Sequence, residues 1–371
     1  MLKTIIIIII FIIMMMHFLQ KTKLEMFSLN NTPIVINAVG DVSFTRDIGK
    51  FIHLKRKKDY NYPLSFVKNI LEKSDLTLIN LETTITPRLN YLSPLFRKNK
   101  PNFSSHYMAL NSLVNNGVNV VNLANNHMND YGSIGLENTI DLVNKAGLSH
   151  VGTHKDISNI FVINGVRIGI LGVSRNFLKV KNSHINSYNS SRYQNLLEQV
   201  RLLKTKSDIV IVTIHWGTEY KFKPNRNQRF LAKLLVENGS DVIIGHHPHV
   251  IQSMETIKVG NRKGTVFYSI GNFLFDSHKK KKGVRNSLIL QIQLYKTFDG
   301  KISLQFNYLP CIIHPELGFI PIPQKKKFSK VFPKKTTKKG NDLEKYLKCS
   351  KYLNCDSENN NYSSILKEYF R

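Results

Sequence analysis

An α/β layered fold is predicted for this 371-residue chain by three observations. Short apolar runs recur along it, and each ends in a cluster of polar residues. Segments with apolar residues at helical spacing lie between these runs. Beyond them, two alternating segments flank a turn signal. Strands alternating with helices argue for α/β layers, and in such sheets the loops at strand C-terminal ends converge on a ligand crevice.

The first apolar run, Ile34-Val35-Ile36-Asn37-Ala38-Val39, follows Pro33 and ends in Gly40-Asp41. It reads as a buried strand entering a loop. Leu76-Thr77-Leu78-Ile79 enters Asn80-Leu81-Glu82, and Val118 to Leu123 enters Asn125-Asn126-His127. Ile209 to Ile214 enters His215-Trp216-Gly217, and Asp241 to Ile244 enters Gly245-His246-His247-Pro248-His249. Val266 to Ile270 enters Gly271-Asn272-Phe273. Helical spacing runs from Ser133 to Ala146, stopped by Gly147, and from Gln228 to Asn238, stopped by Gly239. Ser287 to Tyr295 and Lys301 to Tyr308 alternate around Asp299-Gly300, the pattern of an antiparallel hairpin that closes the domain.

These signals set the expected organisation. A main domain covers residues 33–278, a basic loop and the hairpin cover 279–324, and a Lys-rich tail covers 325–371. No internal repeat is visible.

The N-terminus carries a separate signal. Ile5 to Leu19 is an almost unbroken apolar run, preceded by Lys3 and followed by Gln20, Lys21 and Lys23. It falls slightly short of the ~20 residues of a full membrane span, and Lys3 and Lys21 can snorkel to lengthen it. A secretory signal has a similar apolar stretch. No small-x-small cleavage site follows, so an uncleaved transmembrane anchor over residues 1–24 is expected, with a linker at 25–32. Cleavage would instead give a secreted protein. Positive charge flanks both ends, so the charges do not set the orientation.

Composition narrows the partners. Hydrophobic residues make up 42%, enough for a sizeable core, which excludes wholesale disorder. The formal net charge is +28, from 53 Lys plus Arg against 25 Asp plus Glu. That excess favours anionic partners, although abundant Lys, Asn and Ile also follow from AT-rich codon usage. No nucleic-acid-binding motif is present, so nucleic acid is the weakest partner class. The three cysteines, Cys311, Cys349 and Cys355, are too few and too uneven for a disulfide framework, though Cys349 and Cys355 are close enough in sequence to pair.

The chemistry-bearing residues are those at the strand ends: Asp41, Glu82, Asn126, His127, His215, His247 and His249. This mixture of carboxylate, amide and imidazole suits manganese, iron or zinc better than calcium, because imidazole nitrogen prefers transition metals. It offers donors for one or two ions. Any one of these residues alone would be an ordinary structural group. Their shared placement after apolar strands is what points to a site. Arg46 is a candidate for holding an anionic group by paired hydrogen bonds. Trp216 suits core packing or stacking on a ligand, and Tyr220 and Phe273 are candidates for the pocket rim.

Six segments, in order, resemble the capsule-synthesis CapA family: Gly40-Asp41-Val42-Ser43-Phe44-Thr45-Arg46, Asn80-Leu81-Glu82, Asn125-Asn126-His127 with Asp130-Tyr131-Gly132, His215-Trp216-Gly217 with Glu219-Tyr220, Gly245-His246-His247-Pro248-His249-Val250, and Tyr268-Ser269-Ile270-Gly271-Asn272-Phe273. They span about residues 34 to 276. The resemblance implies a four-layer α/β/β/α sandwich like that of the calcineurin-like metallophosphoesterases. It implies Asp41, Glu82, Asn126, His215, His247 and His249 as metal ligands, with His127 beside the substrate as an acid or electrostatic partner. His246 is left as a neighbour filling its loop. Two departures stand out. The wider superfamily opens with Asp-x-His, where this chain has Ser43, and its second carboxylate is Asp, where this chain has Glu82.

Two function classes follow. One is a membrane-anchored, metal-dependent hydrolase or transferase acting on a phosphoester or an amide, with His127 assisting the leaving group. The other is a non-catalytic partner that binds, anchors or exports an anionic envelope polymer such as polyglutamate. In both, the resemblance implies an extracytoplasmic domain working with other capsule-synthesis membrane proteins.

Overall fold

The computed structural model describes residues 14–16, 32–86, 103–175, 185–188, 193–276, 281–296 and 300–324. The expected N-terminal anchor (apart from Met14 to Met16), nearly all of the linker, the Cys349–Cys355 pairing and the Lys-rich tail lie outside them. Among the described residues no helix is long and apolar enough to cross a membrane.

The strands among the described residues are β1 (Ile34–Val42), β2 (Leu76–Leu81), β3 (Thr84–Thr86), β4 (Ser104–His106), β5 (Val120–Asn122), β6 (Ser149–Val151), β7 (Ser158–Ile163), β8 (Val166–Arg175), β9 (Ser187–Tyr188), β10 (Ile209–His215), β11 (Val242–His246), β12 (Met254–Val259), β13 (Arg262–Phe267), β14 (Asn272–Leu274), β15 (Asn286–Lys296), β16 (Ile302–His314) and β17 (Ile320–Pro323). The helices are α1 (Arg46–Lys55), α2 (Lys68–Leu71), α3 (Met108–Asn115), α4 (Gly132–Lys145), α5 (Gln194–Lys206) and α6 (Arg226–Glu237).

The first sheet runs β17-β16-β15-β1-β2-β5-β6, with β14 paired to the end of β1. Its β1, β2, β5 and β6 are parallel. The hairpin foreseen from alternation forms between β15 and β16 and joins β1 antiparallel. The second sheet runs β12-β13-β11-β10-β8-β7, parallel through β13, β11, β10 and β8.

Both faces of the central strands are buried, which is why they read as continuous apolar runs rather than alternating ones. Along β1, Ile34, Ile36 and Ala38 meet Ile168, Ile170, Ile211 and Ile244 of the second sheet, while Val39 and Val42 turn the other way toward α1, α3 and α4. Along β10, Ile209 and Ile211 face the first sheet and Val210, Val212 and Ile214 pack under α5 and α6. The two-residue period of a strand divides each run between two cores. Burying each such side chain contributes roughly 1.5–3 kcal/mol.

The strand β8 was not foreseen. Gly169 and Gly172 interrupt its apolar pattern, and both sit where a larger residue would collide. A Cβ on Gly172 would lie 2.5 Å from Asn122 Oδ1, and one on Gly169 would lie 2.8 Å from Leu203. Glycine inside a strand marks such close approaches. Helices α1, α3 and α5 were likewise not foreseen. Trp216 proves to be core, fully buried with its indole N–H donating to the Tyr268 carbonyl at 2.9 Å. Phe273 is also fully buried in the core under the first sheet, not at a rim.

Candidate metal centre

The strand ends of the two sheets meet at one place. Asp41 closes β1, Glu82 follows β2, and Asn126 and His127 follow β5. From the second sheet, His215 closes β10, and His246, His247 and His249 lie at and beyond the end of β11. The backbone is pressed close where these donors are delivered. A Cβ on Gly40 would sit 2.0 Å from the Gly271 carbonyl, and one on Gly245 would sit 2.1 Å from that of Tyr268. His247 (φ 92°) and His249 (φ 55°) occupy the left-handed region. Strain of this kind, about 1–3 kcal/mol per residue, persists only where the surroundings over-determine it, and it gathers at functional sites.

Glu82 is the hub. Its side chain is fully buried, and Oε1 has the Nε2 atoms of His127, His215 and His249 at 3.9, 3.8 and 3.8 Å. Asp41, also fully buried, has His249 Nδ1 at 3.1 Å from Oδ2 and His246 Nδ1 at 3.3 Å from Oδ1. His215 Nε2 lies 2.7 Å from Asn126 Oδ1. The His247 ring centroid is 4.8 Å from that of His215 and 6.0 Å from that of His249. The sequence-expected ligands Asp41, Glu82, Asn126, His215, His247 and His249 are therefore all brought together.

A second layer holds them, and sequence reasoning assigned it no role. The Asn80 amide donates to Asp41 Oδ1 at 2.8 Å and lies 3.3 Å from His215 Nδ1. Its carbonyl oxygen accepts from Asn122 Nδ2 at 3.1 Å. Asn272 Oδ1 is 2.8 Å from His249 Nδ1. Asn80 and Asn272 stand inside the quoted motifs, so a signal existed, but only the fold shows what they touch.

His127 is fixed on two sides. Its ring stacks on Phe103 with centroids 3.7 Å apart and planes 1° from parallel. Its Nδ1 meets Asp130 Oδ2 at 2.9 Å, and the same oxygen accepts the Phe103 N–H at 2.7 Å. Arg46, expected to hold an anionic group, is already engaged. Its Nε donates to Asp276 Oδ1 at 2.8 Å, a second contact runs from Nη2, and the guanidinium lies 4.3 Å from the Phe103 ring centre. Nothing in the sequence paired residues so distant as Arg46 and Asp276.

The electrostatics follow from packing two carboxylates among imidazoles away from water. Burial works to raise the Asp41 carboxyl, but His246 and His249 beside it outweigh this and hold it well below the ordinary carboxylate range. Burial and then the Asp41 charge push Glu82 well above it. Burial, aided by His247, keeps His215 far below the usual imidazole value, and burial beside His249 brings His247 down to about 3. For His249 burial works downward, yet the Asp41 contact prevails and raises it.

These residues fit a divalent transition metal. Buried Asp41 Oδ2, Glu82 Oε1 and both His246 ring nitrogens have no aligned hydrogen-bond partner among the described residues. Leaving each so costs about 1–3 kcal/mol or more. A cation satisfies such lone pairs, and donors at ~2.0–2.2 Å from one ion stand about 3–4 Å from one another, the spacing found around Glu82 Oε1. Asp41, Glu82 and His249 offer ligand atoms within 4.8 Å of one another, as do Glu219, His247 and His249.

Comparison with known proteins gives this site a family. The model of the family described as "Bacterial capsule synthesis protein PGA_cap" matches residues 35–277, a stretch that contains every expected site residue. The chain belongs to the PGA_cap family. Within this capsule-synthesis family, it is 33% identical over 266 residues to the capsule biosynthesis protein CapA of Bacillus anthracis, covering 66% of this chain and 61% of that protein. It is 31% identical over 299 residues to the PGA biosynthesis protein CapA of Bacillus subtilis, covering 78% and 73%. Among solved structures it is similar to a phosphatase from Mycoplasma pneumoniae, with a TM-score of 0.46 and 14% identity over 76% of this chain and 94% of that one. It is also similar to a 5'-nucleotidase precursor from Thermus thermophilus, with a TM-score of 0.44 and 13% identity over 77% and 55%.

Proposed function

We propose that this PGA_cap chain is an extracytoplasmic, envelope-associated component of capsule or poly-γ-glutamate synthesis. Its strand-end site would hold one or two manganese, iron or zinc ions and serve a hydrolase or transferase acting on a phosphoester or amide. The observation that carries this reading is Glu82 Oε1, buried without an aligned hydrogen bond and surrounded by three imidazole nitrogens. Two facing sheets with helices outside, and donors at the strand ends, support a metallophosphoesterase-like arrangement of four layers.

Asp41, Glu82, Asn126, His215, His247 and His249 would hold the metal, which when bound would polarise a substrate oxygen and acidify water. His127 works beside it. Asp130 accepts from Nδ1–H, so that in the doubly protonated ring Nε2–H faces the site; passing that proton to a leaving group returns the neutral Nδ1–H ring. Phe103 keeps the imidazole plane fixed. Arg46, with a third of its side chain exposed beside Asp276, offers its outer edge to an anionic substrate. The apolar run Ile5 to Leu19 supports attachment to a membrane, beside other capsule-synthesis proteins.

The test is turnover of phosphodiester and γ-glutamyl amide substrates by the metal-loaded chain, beside Asp41→Ala. Metal-dependent turnover lost in the variant supports the reading, and turnover unchanged by the substitution contradicts it. The net charge of +28 favours a second reading, a scaffold that binds an anionic envelope polymer. That reading predicts salt-sensitive polyglutamate binding that survives Asp41→Ala.

A further inference from the structure

The loop after β10 carries a carboxylate that no expected ligand set includes. Glu219 follows His215-Trp216-Gly217-Thr218, and its ligand atom lies within 4.8 Å of those of His247 and His249. The Asp41 loop gives only one donor on its side of the site. Ser43, the next polar side chain after Asp41, is buried with its Oγ 2.8 Å from Thr45 Oγ1.

The Glu219 loop is not placed by chance. It is fastened to the histidine turn along its length. The Trp216 N–H donates to the His246 carbonyl at 3.1 Å, and the Tyr220 N–H to the Pro248 carbonyl at 2.8 Å. Gln252 Nε2 donates to the Lys221 carbonyl at 2.7 Å, and Gln252 Oε1 accepts from Gln228 at 3.0 Å. Gln228 in turn closes the capping box of α6 with Asn225. Gly217 has φ 89°, and a Cβ there would lie 2.9 Å from the Gln228 amide. Tyr220 holds φ 61°, a conformation rare for so bulky a residue. The loop thus keeps a strained backbone next to two strained histidines.

We propose that Glu219 is a further metal ligand, joining His247 and His249 on the open side of the centre. The inference rests on the metal-site reading above. Glu219 is exposed, so it can be changed without opening the core. It would link metal occupancy to the loop that carries Tyr220 and, through the Lys281 ammonium 5.3 Å from the Tyr220 ring centre, to the basic segment beyond β14.

The test uses the 371-residue chain, stripped with chelator and titrated with Mn2+ by equilibrium dialysis, with bound ion counted. Glu219→Gln, Glu219→Asp, His247→Ala and Asp41→Ala are compared with the wild type. We expect Glu219→Gln to weaken Mn2+ binding at one position at least tenfold and Glu219→Asp to weaken it less. Chelated Glu219→Gln should melt at the wild-type temperature. Wild-type titration by Glu219→Gln, alongside loss in His247→Ala and Asp41→Ala, overturns the Glu219 assignment and leaves the metal site standing. No Mn2+ uptake by the folded wild type overturns both.

Discussion

Glu82 Oε1 and His215 Nε2 stand 3.8 Å apart, both side chains fully buried, one delivered by each sheet. The site therefore depends on how the two sheets are stacked, and its two carboxyls, Asp41 and Glu82, are buried against the preference of a charge for water. That conflict has measurable consequences in the metal-free protein.

Metal-free Glu82→Gln should be more stable than the metal-free wild type at neutral pH. The Glu82 carboxyl is raised in the folded state. Its stabilising effect is therefore full below the unfolded value of about 4.5 and is lost as pH rises through the folded one. The amide removes that loss. Thermal melts in chelator should show the variant ahead, and metal addition should reverse the order.

Metal-free protein should lose stability as pH falls from about 6.5 toward 3. His247 is depressed to about 3 and His215 is also far below its usual value, so both are neutral when folded and take a proton when unfolded. Their contribution is complete above the unfolded value and fades below it. Denaturant melts from pH 8 to pH 4 should show a flatter profile for His247→Asn than for the wild type.

Asp130→Ala should cost roughly 1–3 kcal/mol, because it strands the Phe103 N–H and the His127 Nδ1 together. Asp130→Asn should cost less, since its amide oxygen can still accept one of them. Chemical unfolding of the metal-free variants separates the two.

Arg46→Ala should cost about 2 kcal/mol. Removing one partner of a fully buried ion pair costs ~3–5 kcal/mol, but here Arg46 keeps 34% of its side chain exposed while Asp276 keeps 3%. Arg46→Ala combined with Asp276→Asn should recover part of the loss, which a double-mutant cycle measures.

Much of this site was legible in the sequence because parallel strands buried on both faces read as apolar runs, and their C-terminal ends announce themselves as polar clusters. Asp41, Glu82, His215 and His247 were found that way. The hairpin was legible from alternation. The strand β8 was hidden because Gly169 and Gly172, needed for close packing, break the apolar pattern. Phe103 and Asp276 were hidden for a different reason. Each acts through a neighbour far away along the chain, and a lone phenylalanine or carboxylate carries no local mark of that. His246 has the look of loop filling in the sequence, yet it ends β11 and lies 3.3 Å from Asp41, which belongs to the other sheet.

The proposed function requires the donors around Glu82 to hold a metal. Elemental analysis of the purified 371-residue chain, wild type beside Asp41→Ala and His249→Ala, tests it most directly. The wild type should carry one or two equivalents of manganese, iron or zinc, and both variants should lose bound metal with the fold retained. A folded wild type that carries no transition metal, and takes up none on reconstitution, would contradict it.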